Sequence, residues 1–323
     1  GLIGYSLVNS LMKFNNVHVI AVSRSESKLQ KCFSKYKHNL NFSFYAHDVL
    51  LPLNILVDPV DFIFHAASPQ ENKVINESPV DVINANLFGT VNCIDLIRRQ
   101  EIDHNIKGRL ILFSSVTVYG NNTDKNLVVK ESDTSVTDII ESNGAPYSQS
   151  KRMSEVIARA YAKQFGVDVV ISRLSTVYGD TVIKSDTAFF EFINNAILGQ
   201  DIQIRSNTLP RRDNIFLDDA ISGLLTIALK GKTSEVYNVS SNGELENFLA
   251  VDEIASVIVD ESNKQFGNSR EPITVIYNDC SKSKRKPGII LDNSKLKALG
   301  WKLTTSFNDG IVKTLYSCNY SNS

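Results

Sequence analysis

Ser115, Tyr147 and Lys151 have the side-chain types and spacing from which proton transfer can be built. Tyr147 and Lys151 lie in the run Ala145-Pro146-Tyr147-Ser148-Gln149-Ser150-Lys151. Their i, i+4 spacing puts both on one face of a helix, where an ammonium can stabilise a phenolate. A tyrosine ordinarily titrates near pH ~10, and a neighbouring cation makes it usable as an acid or base near neutrality. Ser115 ends the run Leu110-Ile111-Leu112-Phe113-Ser114, which reads as a buried strand finishing in hydroxyls. In parallel α/β sheets ligands gather at the carboxyl ends of strands, so this hydroxyl stands where chemistry happens. Each piece alone is commonplace, since a Ser-Ser pair can simply open a turn. The order of glycine-rich opening, strand, Ser-Ser, then Tyr-x-x-x-Lys at the head of a long helix gives the pieces their meaning.

A scaffold that could hold these groups is legible in the same chain. Apolar runs at 17–22, 62–65, 109–114 and 169–174 predict strands, and the stretches 79–99 and 147–165 predict long helices between them. Such alternation is the signature of βαβ units and a parallel sheet. Gly166 is placed to stop the second helix. Residues 1–173 together with 211–240 are expected to form a doubly wound, Rossmann-like α/β domain. Residues 174–210 with 241–323, where the rhythm loosens, are expected to form a smaller substrate-binding domain laid over it. The opening Gly1-Leu2-Ile3-Gly4, followed by a helical pattern through Leu7, Val8 and Leu11, reads as the second half of a phosphate-binding glycine loop. On that reading the first glycine and the strand before it are missing from this sequence; the bland alternative is a flexible terminus.

At 323 residues and a net charge of −1, the chain can bury a substantial core and has no bulk charge to draw it to nucleic acid or an anionic membrane. The basic runs Arg211-Arg212 and Lys282-Ser283-Lys284-Arg285-Lys286 are local. Cys32, Cys93, Cys280 and Cys318 are scattered without a Cys-x-x-Cys pair, which suits reduced thiols in a cytoplasmic protein and predicts neither a disulfide framework nor a metal site. No apolar run is expected to approach membrane-spanning length, and no signal peptide is evident.

The chain resembles the extended short-chain dehydrogenase/reductases, the NAD(P)-dependent nucleotide-sugar epimerase/dehydratase family. The likeness runs through Gly1-Leu2-Ile3-Gly4, His65-Ala66-Ala67, Asn86-Leu87-Phe88-Gly89-Thr90, Ser114-Ser115-Val116-Thr117-Val118-Tyr119-Gly120, Tyr147-x-x-x-Lys151, Arg212-Asp213-Asn214-Ile215-Phe216-Leu217-Asp218-Asp219 and Leu299-Gly300-Trp301. As a set these are specific for the family and far less so for the reaction. The resemblance implies that Gly1, Ile3 and Gly4 approach a pyrophosphate, Asp48 and Val49 meet adenine, Ala66 and Ala67 line the cofactor cleft, and Asn86 steadies the helix beside it. It implies that Lys151 binds the nicotinamide ribose and tunes Tyr147, while Ser115 holds the substrate oxygen. Arg212, and with less support Arg285, would grip a nucleotide diphosphate. The alternative for Arg212 is an ion pair with Asp213, Asp218 or Asp219. A homodimer through two long helices is common among proteins of this kind.

Departures from the pattern narrow the chemistry. Dehydratases of the family place an Asp-Glu pair just after the catalytic hydroxyl; here Val116 and Thr117 occupy those positions, and neither transfers a proton. Thr117 also counts against the related decarboxylases, although Ala66-Ala67-Ser68-Pro69 is similar to them. Thr176 replaces the Asn that often contacts the sugar, so Thr117 and Thr176 are the candidate sugar contacts. Val22-Ser23-Arg24-Ser25 lacks the acid that accepts ribose hydroxyls in NAD users, and Ser23 with Arg24 favours NADP, with NAD the alternative. The leading expectation is therefore reduction of a 4-keto sugar nucleotide. The second is a 4-epimerase with tightly bound NAD; behind these stand a dehydratase or decarboxylase, and a non-catalytic nucleotide-binding scaffold.

Overall fold

In the computed structural model, residues 1–55, 58–70, 72–120, 127–133, 140–180, 187–206, 208–267, 269–277 and 284–320 are described. Helix α1 (Leu2–Leu11) leads into strand β1 (Val19–Ser23), which pairs in parallel with β2 (Phe42–Ala46). Next come β3 (Phe62–His65), the long helix α2 (Pro79–His104), β4 (Arg109–Ser115), helix α3 (Ala145–Phe165) and β5 (Asp168–Leu174). The chain then passes through β6 (Thr208–Phe216), α4 (Leu217–Lys230), β7 (Val236–Val239), α5 (Val251–Phe266) and α6 (Phe307–Tyr320).

Strands β7, β5, β4 and β3 form one all-parallel ladder in that order, and β1–β2 is a separate ladder. A parallel sheet is covered on both faces, and β4 shows why its sequence is apolar without a break. Leu110 and Leu112 point into a cluster with Cys93, Ile94, Ile97 and Ala158 of α2 and α3. Ile111 and Phe113 point the other way, to Leu7 of α1 and Ile221 and Leu224 of α4. A second core gathers Tyr178, Phe192, Ile254, Ile258, Phe307 and Ile311 around α5 and α6. There β6 is flanked by the short strands Phe248–Ala250 and Lys284–Lys286, and its far end pairs with Thr176–Tyr178.

Helix α3 stops at Gly166, whose φ of 72° is a left-handed geometry that glycine adopts without a Cβ clash. Strand β2 was not anticipated, although Phe42-Ser43-Phe44 alternates apolar and polar side chains. One expectation is corrected outright: α2 is long and apolar enough to cross a membrane by length and composition. It packs on β3, β4 and α3, so its apolar length serves a core. Among the described residues Cys32, Cys93 and Cys318 form no disulfide; Cys280, Lys282 and Ser283 lie outside the described residues.

Candidate active site

Within each ladder the parallel register brings strand carboxyl ends side by side, and the candidate residues lie at the ends of five strands. Ser23 and Arg24 are exposed at the end of β1, and Asp48 and Val49 follow β2. Ala66 and Ala67 are exposed just past β3, Ser115 closes β4, and Thr176 follows β5. The Ser23 carbonyl accepts the amide of His47 at 3.0 Å, which binds the ends of β1 and β2 together. Asp48 accepts the amide of Leu50 at 3.0 Å, an Asx turn that fixes its carboxylate. Arg24 makes no ion pair among the described residues.

At the centre, the Tyr147 hydroxyl shares hydrogen bonds with Ser115, Gln70 and Ser68. Ser68 donates to Asn86 Oδ1 at 2.7 Å, and Asn86 Nδ2 donates to Ser150 Oγ at 2.8 Å. This chain of polar groups joins the loop after β3 to the first turns of α3, and it spends both ends of the Asn86 amide inside the protein. Gly89 has a steric reason to be glycine, because a Cβ there would stand 2.8 Å from His65 Cε1. Gln70, as a partner of Tyr147, was missed by the sequence reading; no spacing rule ties a loop residue to a helix so distant in sequence.

The electrostatics differ from the simple picture of a cation depressing a phenol. Burial pushes Tyr147 up to about 12, its bonds to Ser115, Gln70 and Ser68 opposing only part of that. Lys151 Nζ lies 5.9 Å from the Tyr147 ring centroid and donates instead to the Phe113 carbonyl at 2.7 Å. Burial brings Lys151 down to about 7, with Glu155 opposing the fall. His65, also buried, is lowered to about 3 by burial and by the charge of Lys151, so its ring is neutral at pH 7. Tyr147 is therefore held protonated, as a proton donor requires.

Past Ser115 the chain turns through Val116–Tyr119, with Ser115 Oγ accepting the amide of Thr117 at 3.3 Å. Thr117 Oγ1 is buried with no hydrogen-bond partner among the described residues. A buried hydroxyl without a partner costs on the order of 1–3 kcal/mol unless a ligand meets it. Thr176 stands opposite Asn214 on β6, two residues from Arg212. Arg212 retains solvent access, is lowered by partial burial, and pairs with no carboxylate among the described residues. Two of its potential partners are committed elsewhere. Asp213 accepts from Ser241 Oγ and the Leu291 amide, and Asp219 accepts from the Thr304 hydroxyl and the Thr305 amide. Arg285 is a different case: its guanidinium is held by Asp252 at 2.8 Å and Glu253 at 2.9 Å on α5. In this structure two carboxylates hold its donors, whereas Arg212 has none among the described residues.

The edge suits a dinucleotide. Among the described residues helix α1 has no side-chain cap and no acid in its first turn, which suits a helix end that meets an anion. A Cβ on Gly1 would meet nothing within 4 Å, and one on Gly4 would meet only the Ala66 Cβ at 3.7 Å. The small exposed Ala66 and Ala67 leave room beside them.

A model of the NAD dependent epimerase/dehydratase family matches residues 1–240. UDP-glucuronic acid decarboxylase 3 of Arabidopsis thaliana is 25% identical over 316 residues, covering 96% of this chain and 84% of that protein. An uncharacterised protein of Methanocaldococcus jannaschii is 23% identical over 318 residues, 94% of each chain. Among solved structures, the UDP-glucuronic acid 4-epimerase of Bacillus cereus, in complex with UDP-glucuronic acid and NAD, superposes with a TM-score of 0.78 at 23% identity over 100% of this chain and 97% of that one. The UDP-glucose 4-epimerase of Thermotoga maritima gives 0.78 at 20% identity, over 100% and 97%. At these identities the structural likeness speaks for the fold.

Proposed function

The chain belongs to the NAD-dependent epimerase/dehydratase family, whose members act on nucleotide sugars, and from that premise we propose that it reduces a 4-keto sugar nucleotide with NADPH. The observation that carries this reading is a buried, protonated Tyr147 bonded to Ser115, with Val116 and Thr117 at the two positions that follow. A site with one proton donor and no acid–base pair beside it suits hydride transfer at a single carbon better than removal of water. The Ser115 and Tyr147 hydroxyls hold the carbonyl oxygen, and Tyr147 gives its proton to that oxygen as negative charge develops. Bound nicotinamide supplies the hydride. Lys151 offers its ammonium to the ribose and to the tyrosinate left behind, and Thr117 and Thr176 offer hydroxyls to the sugar.

The cofactor preference rests on Ser23 and Arg24, a guanidinium without an ion pair among the described residues where NAD users keep an acid. Amides of α1 at Gly1, Ile3 and Gly4 would meet the pyrophosphate, and Asp48 and Val49 the adenine. Arg212 suits the substrate diphosphate because it is accessible and free of the neighbouring carboxylates. The test mixes purified protein with a nucleotide 4-keto-6-deoxy sugar and NADPH and follows absorbance of the reduced nicotinamide. Loss of one NADPH per product is expected. No loss, with interconversion of two 4-hydroxy epimers without added cofactor, would make the protein an epimerase.

A second copy of the chain is proposed as its partner. Val80 and Phe88 on α2 and Met153 and Val156 on α3 are 49–63% exposed on helices that pack side by side. Sedimentation equilibrium should give a dimer, and Phe88→Glu with Val156→Glu should give a folded monomer; a wild-type monomer at micromolar concentration would exclude it.

A further inference from the structure

Tyr147, Lys151 and Glu155 recur at i, i+4 and i+8 along one face of α3, and the third has no part in the reaction as described. Glu155 is buried, 7% exposed at its side chain, and an isolated carboxylate there would be costly. Three donors meet it. Ser114 Oγ donates to Oε1 at 2.5 Å, Arg173 Nε donates to the same oxygen at 3.0 Å, and Arg173 Nη2 donates to Oε2 at 2.7 Å. Ser114 and Arg173 are register partners on β4 and β5, so one carboxylate clamps both strands at the end where Ser115 emerges. The other side of the guanidinium lies over the Tyr119 ring, 4.7 Å from its centroid, and Nη1 donates to the Glu131 carbonyl at 3.2 Å.

We propose that Glu155 is a positioning residue of the reductase site, fixing the strand ends that carry Ser115 and the Phe113 carbonyl and presenting the anionic end of a buried ion pair to Lys151. The inference rests on the functional reading above and adds to it the reason that Lys151 keeps its proton. The groups around Lys151 leave Glu155 this role. His65 on β3 is neutral, Tyr147 on α3 is protonated, and the Phe113 carbonyl on β4 offers only a dipole. From α2, which packs on α3, the buried Asn86 and Thr90 carry no charge. Arg173 on β5 lies beyond Glu155 and does not figure among the charges that move Lys151, whereas Glu155 does, opposing the effect of burial.

The experiment reads Lys151 directly and needs neither substrate nor cofactor, so its failure is separate from failure of the reductase reading. Protein carrying ε-¹³C lysine is titrated by NMR, with Lys151→Met identifying the resonance. In Glu155→Gln, which keeps shape and removes charge, the midpoint should fall by about one pH unit or more, and Glu155→Asp should restore most of it. Turnover should lose its high-pH limb in the same direction, because reduction requires the ammonium. A merely structural Glu155 would lower activity evenly across pH and leave the midpoint in place. Should Glu155→Gln fail to fold with Arg173 stranded, the double variant Glu155→Gln/Arg173→Met removes that unpaired cation and should show the same fall. An unmoved Lys151 midpoint in either folded variant overturns the proposal.

Discussion

Tyr147→Phe is expected to lower turnover by about three powers of ten while leaving cofactor affinity within a few-fold of the parent. The ring is buried and packs at the head of α3, so phenylalanine fills the same space. What disappears is the hydroxyl that bonds to Ser115, Gln70 and Ser68 and the proton that burial keeps on it. No other acid stands at the two positions past Ser115, where Val116 and Thr117 have nothing to transfer, so water would have to serve in its place. Stability should change by about 1 kcal/mol at most, because Ser68 keeps its bond to Asn86. Steady-state oxidation of NADPH with fluorescence titration of the cofactor separates the two effects. Activity within a few-fold of the parent would remove Tyr147 from the chemistry.

How far the sequence reveals this site depends on the distance over which each group is positioned. The Tyr147–Lys151 pair is set by helical periodicity, a local property; α3 carries it from Ala145 to Phe165, against an expected 147–165. Strand β4 is equally legible, because burial on both faces demands an unbroken apolar run. Groups that reach the site across the sheet are not. Glu155 becomes meaningful only when β4 and β5 place Ser114 beside Arg173, 59 residues apart along the chain, in register. The same limit explains Arg285: a basic run says that a cation exists, but Asp252 and Glu253 on α5 decide what it holds. It also explains the phenol, whose fate turned on burial and on the Phe113 carbonyl drawing the ammonium away; sequence spacing encodes neither.

Lys151→Met is expected to act in opposite directions on activity and stability. Turnover should fall by two to three powers of ten, an estimate in line with loss of one preorganised charge at a reacting centre, and cofactor affinity should fall with it. The fold, by contrast, should be more stable at pH 7. Lys151 is 2% exposed and its ammonium is lowered from 10.5 to about 7, so the unfolded chain binds the proton more tightly than the folded one. Such a group destabilises the fold fully below about pH 7, and the cost fades as pH rises toward the unfolded value of 10.5. Methionine fills a similar volume without a charge and leaves Glu155 and Arg173 paired with each other, at the cost of the bond to the Phe113 carbonyl. Replacing the buried ammonium by an apolar side chain removes its desolvation cost, and the lost hydrogen bond offsets about 1 kcal/mol of that gain. Urea unfolding at pH 7 should therefore show a higher midpoint for Lys151→Met, and the advantage should shrink at pH 9 and above as the parent recovers. Equal or lower stability of the variant at pH 7 would mean that Lys151 is solvated or compensated in the folded protein, and the account of a strained, reaction-ready ammonium would fail with it.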